Sequence, residues 1–190
     1  MRMIDRLLLT LPLLFAAAPA AAQDYATKTV GDWTVAASRD GDGCFATRTF
    51  DRDGATTLLL GLSADGSNRL TLLNANWSIK PRDRLTLDYR LSNRRFAKQF
   101  AVGMAADRKQ GFVSTFDAKF PAQFAASTSL AVFRGDVPVE RVTLEGSGVA
   151  VAELRRCVTA SKGAPRGARA ADSDAIPKDP FAEPAKRRRK

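Results

Sequence analysis

Histidine is absent from the 190 residues of the chain. That absence removes Ser-His-Asp and Cys-His catalysis, most zinc sites and the side chain that ordinarily serves as a general base near neutral pH. An enzyme on this chain would have to work with Asp, Ser, Lys and Arg. Gly146-Ser147-Gly148 lacks the full frame of a nucleophile elbow, and Ser147 is expected to cap a helix instead. Aspartic-protease, phosphate-loop and dinucleotide-binding signatures are also missing. Asp40-Gly41-Asp42-Gly43 opens like a calcium loop, but position twelve is Asp51 rather than Glu, and Phe45, Ala46 and Thr47 read as strand. No catalytic, cofactor-binding or metal-ligating set is therefore assigned, and no cofactor is expected.

Long apolar runs are also scarce. One lies at the start, from Leu7 to Ala18 behind Arg2 and Arg6, interrupted by Pro12 and followed by Ala20-Ala21-Ala22. A basic start, a short apolar stretch and an A-x-A site read as a secretory signal peptide over 1–22. The run is too short for the roughly 20 apolar residues of a membrane span. No cysteine stands at the junction for lipid attachment, and the mature protein is expected to carry no transmembrane segment. The destination is periplasmic or secreted.

Cysteine occurs twice, as Cys44 and Cys157. Two buried thiols would be possible in either compartment, but a pair in an exported chain points to one disulfide.

The charge is uneven. Thirty Lys and Arg stand against twenty Asp and Glu, a formal +10. The segment 162–190 holds nine basic and four acidic residues, leaving only +4 on 23–161. A mildly basic domain is poor ground for a nucleic-acid face, and export removes the usual nucleic-acid partner. Arg82, Arg84, Arg90, Arg94, Arg95 and Lys98 form its densest basic stretch, with Tyr89 and Phe96 between them. Arg84 and Arg90 fall on the polar side of an alternating strand, so this stretch reads as a wetted sheet face.

The span 23–161 suits one domain. Asp42-Gly43, Asp53-Gly54 and Asp65-Gly66 recur every eleven or twelve residues, the spacing of hairpin turns in a meander. Strands are predicted over Asp32 to Ala37, Cys44 to Phe50, Thr56 to Leu62, Asn68 to Leu73, Leu85 to Leu91, Phe96 to Met104, Gly111 to Phe116, Leu130 to Phe133 and Val137 to Leu144. Alternation on one side favours antiparallel pairing. Phe116, Phe120 and Phe124 predict a short helix within 117–127, with Pro121 tolerated in its first turn. A second helix follows Ser147, with Ala150, Leu154 and Cys157 on its inner face and Glu153 and Arg156 turned away. The fold expected is mainly β, with α+β as the limit: an antiparallel β-sandwich or strongly curved sheet with one or two short helices, one of them C-terminal.

The segment 162–190 is rich in Gly, Pro, Ala and charge, with Phe181 its one aromatic residue. It is expected to be a disordered basic tail. It ends in Lys186, Arg187, Arg188, Arg189 and Lys190, either a contact for an anionic surface or a solvated extension.

Val30-Gly31-Asp32-Trp33-Thr34-Val35, followed by Cys44, a long β-rich stretch and a late helix, resembles the invasion-associated locus B family. The resemblance implies an exported bacterial protein with a β-sandwich-like domain, although this chain has Ala36 and Ala37 where the family usually carries a further cysteine. The functional expectation is a non-enzymatic envelope protein that binds a protein or polymer partner, or an anionic polymer or membrane surface. The alternative is a small-molecule or lipid module whose pocket is lined by Trp33, Trp77 or the Phe stripe.

Overall fold

In the computed structural model, residues 25–39 and 41–161 are described. The expected signal peptide, Asp40 and the expected tail with Lys186 to Lys190 lie outside the described residues. Ten strands and two helices run in the order β1 (Lys28–Val30), β2 (Trp33–Ala37), β3 (Gly43–Thr49), β4 (Thr57–Ser63), β5 (Asn68–Asn74), β6 (Arg84–Leu91), β7 (Arg94–Ala106), β8 (Lys109–Thr115), α1 (Phe120–Ala125), β9 (Ser129–Arg134), β10 (Val137–Thr143) and α2 (Ser147–Ser161). They form one antiparallel sheet in the order β1-β2-β3-β4-β5-β8-β7-β6-β9-β10.

Turn chemistry sets the first half. Gly54 and Gly66 take φ +75° and +89° in the turns flanking β4, the left-handed region that glycine enters without Cβ strain. Asp65 Oδ1 braces its turn by accepting from the Ser67 N–H at 2.8 Å. Asp42-Gly43 behaves differently. The bend falls at Gly41 and Asp42, and Gly43 is already strand, where a Cβ would stand 2.2 Å from the Leu62 carbonyl oxygen. Close approach between β3 and β4, not a turn, requires that glycine.

The second half breaks the meander. The 75–83 segment carries the chain past β8 and β7 to start β6. It docks on Gly103, where a Cβ would lie 2.1 Å from the Lys80 carbonyl oxygen. The chain then crosses the opposite end through α1 to place β9 outside β6. Phe116 stacks on Phe120 with centroids 3.9 Å apart and precedes the helix, so α1 is shorter than the Phe spacing predicts.

Inward residues alternate along the strands. Trp33, Val35, Leu58, Leu60, Leu70, Leu72, Tyr89, Phe112, Leu130 and Val132 are fully enclosed and belong to one cluster, each large aliphatic contributing roughly 1.5–3 kcal/mol. A single cluster lined from β2 through β10 means that the sheet curls around its own core. It does not close. Among the described residues no ladder joins β10 to β1 or β2, and side chains span the seam. Trp33 Nε1 and Arg48 Nη1 donate to the Glu145 carbonyl at 2.9 and 3.1 Å, and Arg52 reaches Glu140 on β10 at 2.8 Å.

Helix α2 packs on β2 and β3 and is tied there by a Cys44–Cys157 disulfide across a separation of 113 residues. Ala150, Leu154 and Cys157 face inward as expected. Two features of this helix differ from the sequence reading. The Ser147 hydroxyl donates to the Phe124 carbonyl at 3.2 Å, linking α2 to α1 rather than capping its own helix. Glu153 is buried, not turned away. Its carboxylate accepts from Tyr25 Oη at 2.7 Å, Lys28 Nζ at 2.6 Å and Arg156 Nη1 at 2.8 Å. Three donors offset the desolvation that excluded it from the inner face on patterning alone. Among the described residues no helix is long and apolar enough to cross a membrane.

Candidate functional site

Two surface features assemble chemistry, and a third buries it. The first is the outer face of the second half of the sheet. In β6, Arg84, Thr86 and Arg90 are exposed, while Leu87, Tyr89 and Leu91 are enclosed. Arg90 is directly opposite Arg95 of β7 on one side and Ala131 of β9 on the other, and Ala131 is opposite Arg141 of β10. Opposed residues of antiparallel neighbours share a face. Arg95, Arg90 and Arg141 therefore form one row across four adjacent strands, spanning about 14 Å at the usual strand spacing.

Like charges placed opposite one another destabilise a sheet, and compensation here is slight. Arg95 Nη2 lies 3.6 Å from Asp88 Oδ2, a partly exposed contact, and Asp88 also accepts from the Lys98 N–H. The Arg90 guanidinium lies 4.2 Å above the Phe133 ring. Among the described residues neither Arg90 nor Arg141 has an ion-pair partner. Phe100, 58% exposed, stands on the same face opposite Thr86.

The structure thus divides the basic stretch picked out in the sequence. Arg84, Arg90 and Arg95 share the outer face, Arg94 is opposite enclosed Leu91, Lys98 sits at the bulge with φ +53°, and Arg82 lies in the crossing loop. Arg141 joins the row only because β9 and β10 are placed beside β6, which no local spacing announces.

The second feature is an open cleft of about 450 Å³ at the end of the curled sheet where the seam lies. Its walls come from the β3–β4 turn (Arg52, Asp53), the start of the 75–83 crossing (Asn76, Trp77) and β10 (Val139, Glu140). Asn74 ties two of these walls together. Its Nδ2 donates to the Asp53 carbonyl at 3.0 Å and to Thr56 Oγ1 at 2.9 Å, while its Oδ1 accepts from the Asn76 N–H at 2.8 Å. Glu140 ties in the third, accepting from Arg52, from the Thr56 hydroxyl and from the Arg141 N–H. Trp77 lies parallel to Phe112, with centroids 5.4 Å apart and planes 9° apart, so that one face of the indole is backed by the core.

Of the aromatics considered as pocket lining, Trp33 and Phe116, Phe120 and Phe124 are core. Trp77 alone of that set lines the cleft.

The third feature is the Glu153 cluster. Donation from Lys28, Tyr25 and Arg156, in that order of effect, holds the Glu153 carboxyl down from 4.5 to about 2. Burial, then the bond to Glu153, pushes the Tyr25 phenol up to about 12. Every polar group in this cluster is engaged with another, and its geometry fastens the start of the domain to α2. Among the described residues no group of three Cys, Asp or Glu side chains is placed to hold a metal ion.

No family model matches the chain, and no curated protein matches it. Among solved structures, the crystal structure of invasion associated protein B from Bartonella henselae is similar, with 18% identity and a TM-score of 0.52, over 70% of this chain and 97% of that one. At that identity the likeness is one of fold.

Proposed function

We propose that this chain is an exported bacterial envelope protein that acts without catalysis, binding an anionic polymer on the outer face of β6, β7, β9 and β10. The observation that carries the reading is the Arg95–Arg90–Arg141 row, in which two of three guanidiniums have no carboxylate partner among the described residues. Arg90 directly opposite Arg95 costs stability, and bound carboxylates or sulfates would offset that cost through paired N–H donation. Phe100 and Phe133 supply apolar area beside the charges. The signal-like start of the sequence supports export, and the Cys44–Cys157 disulfide is compatible with an oxidising compartment. The terminal block Lys186 to Lys190 adds a second basic element to the same reading.

Calorimetric titration of the chain from Gln23 onward with an alginate oligomer tests it. Binding should weaken about ten-fold or more in Arg90→Ser/Arg141→Ser, and raising salt should weaken the parent protein likewise. Truncation after Ser161 separates the two basic elements: a further loss assigns part of the contact to the tail. Equal affinity in the parent and the double variant, or binding indifferent to salt, would sink the proposal. So would binding to phosphatidylglycerol vesicles with none to the oligomer.

A further inference from the structure

The structure assigns a second and separate binding site to the Trp77 cleft, and its chemistry is that of a site for an uncharged saccharide. The site combines a fixed aromatic face with hydrogen-bonding groups left uncommitted around it. Phe112 backs one face of the Trp77 ring in parallel contact, which favours this orientation of the indole before a ligand arrives. Three walls converge on it, and the Asn74 and Glu140 bonds hold those walls in register before any ligand is present. Pre-organisation of this kind lowers the ordering cost of binding.

The uncommitted groups define the ligand. Arg52 makes both of its bonds, to Glu140 and to the Arg141 carbonyl, through Nη1, which leaves Nε and Nη2 as donors. Among the described residues the Asp53 carboxylate, the Asn76 side-chain amide and the Trp77 indole N–H engage no partner. Donors and acceptors are therefore mixed within one small space, which suits hydroxyl groups because each hydroxyl both donates and accepts. The negative face of an indole attracts the polarised C–H groups of a pyranose ring. Val139 supplies apolar contact on the far wall.

Charge excludes the nearest competitors. One guanidinium faces two carboxylates, Asp53 and Glu140, and Glu140 already occupies Arg52. A phosphate or carboxylate ligand would meet net negative charge here, whereas a neutral ring meets none of that repulsion. The position is also one that ligands favour, the mouth of a curled sheet, and the volume lies within the ordinary range for small-ligand sites.

The test is a titration of the chain from Gln23 onward with chitotetraose and maltotetraose, with adenosine as a flat ring that carries few hydroxyls. The indole N–H resonances are followed by NMR. One saccharide should saturate with a Kd of about 0.1–1 mM and should move the Trp77 signal while leaving that of enclosed Trp33 in place. Asp53→Ala and Asn76→Ala alter exposed side chains, and each should weaken binding several-fold without changing the melting temperature. Trp77→Ala should abolish binding. If Trp77→Ala unfolds, the two exposed variants still decide the matter. Arg90→Ser/Arg141→Ser should leave saccharide binding unchanged, so this site and the arginine face can fail separately. The inference is overturned if neither saccharide saturates below about 10 mM, if adenosine binds and they do not, or if Asp53→Ala and Asn76→Ala bind as the parent does.

Discussion

Replacing both cysteines by alanine removes the one covalent tie between α2 and the sheet, and the structure sets the size of the effect. With a sequence separation of 113 between Cys44 and Cys157, the chain-entropy relation assigns the cross-link about 4.8 kcal/mol at 25 °C. A domain of this size ordinarily holds about 5–15 kcal/mol in total, so Cys44→Ala/Cys157→Ala should lose between a third and nearly all of its stability. The sulfurs are also enclosed, with Cys44 2% and Cys157 0% exposed, so truncation adds a small packing loss to the entropic one. Urea unfolding followed by tryptophan emission reads the change, since Trp33 is fully enclosed against Phe124. Reduced parent protein retains both sulfurs and separates the two terms. It should fall within about 2 kcal/mol of the double variant. Both should unfold with a larger denaturant slope than the oxidised parent, because an uncrosslinked chain exposes more surface. A loss below about 1 kcal/mol would show that the unfolded chain gains little freedom from the break, and the entropic argument would fail for this loop.

Two further outcomes follow from the buried polar geometry. The folded Glu153 carboxyl lies below its ordinary value, about 2 against 4.5, so its stabilisation is full above pH 4.5 and is lost as pH falls toward 2. Melting temperature measured across that window should drop steeply in the parent and less steeply in Glu153→Gln; parallel curves would contradict the assignment. Gly54 takes φ +75°, and an added Cβ would lie 1.9 Å from Asn74 Oδ1, so Gly54→Ala should cost roughly 1–3 kcal/mol from strain and crowding together. The same substitution should weaken saccharide binding, because it displaces the amide that joins two walls of the cleft.

Much of the fold is legible in the sequence where a signal repeats locally. The β6 segment alternates cleanly because one face is wet and the other enclosed, and Gly54 and Gly66 mark turns that need positive φ. The strands missed or mistaken are those shaped by distant partners. β1 is three residues long and too short for any period to register; it exists because Gly31, at φ +58°, turns Val30 back onto Trp33. Glu153 reads as a solvent residue until Tyr25 and Lys28 arrive from more than 120 positions away. Of the candidate sites, the arginine row was half legible. Arg90 and Arg95 are near neighbours across one hairpin, whereas Arg141 depends on the choice of β9, rather than a later hairpin strand, as the partner of β6. The cleft draws on residues 52, 77 and 140, so no window of sequence could show it.

The cleft has its cause in the incomplete closure of the sheet. A closed barrel would pair β10 along its length and leave no room between it and the β3–β4 turn. Here the seam is spanned by Arg52, Thr56, Trp33 and Arg48, each bonding to β10 or to Glu145 two residues beyond it. Side-chain bonds leave gaps that a backbone ladder does not, and the Trp77 cleft is such a gap. The strand order, with β9 and β10 laddered beside β6, lines up Arg95, Arg90 and Arg141. The disulfide and α2 act at the other end of the curl, where Cys44 pairs with Leu62 and Leu62 with Asn68 beside the α1 crossing. Covalent stability is thus supplied at the Cys44 end of β3, away from the cleft, and the cleft end keeps polar groups that the core does not consume.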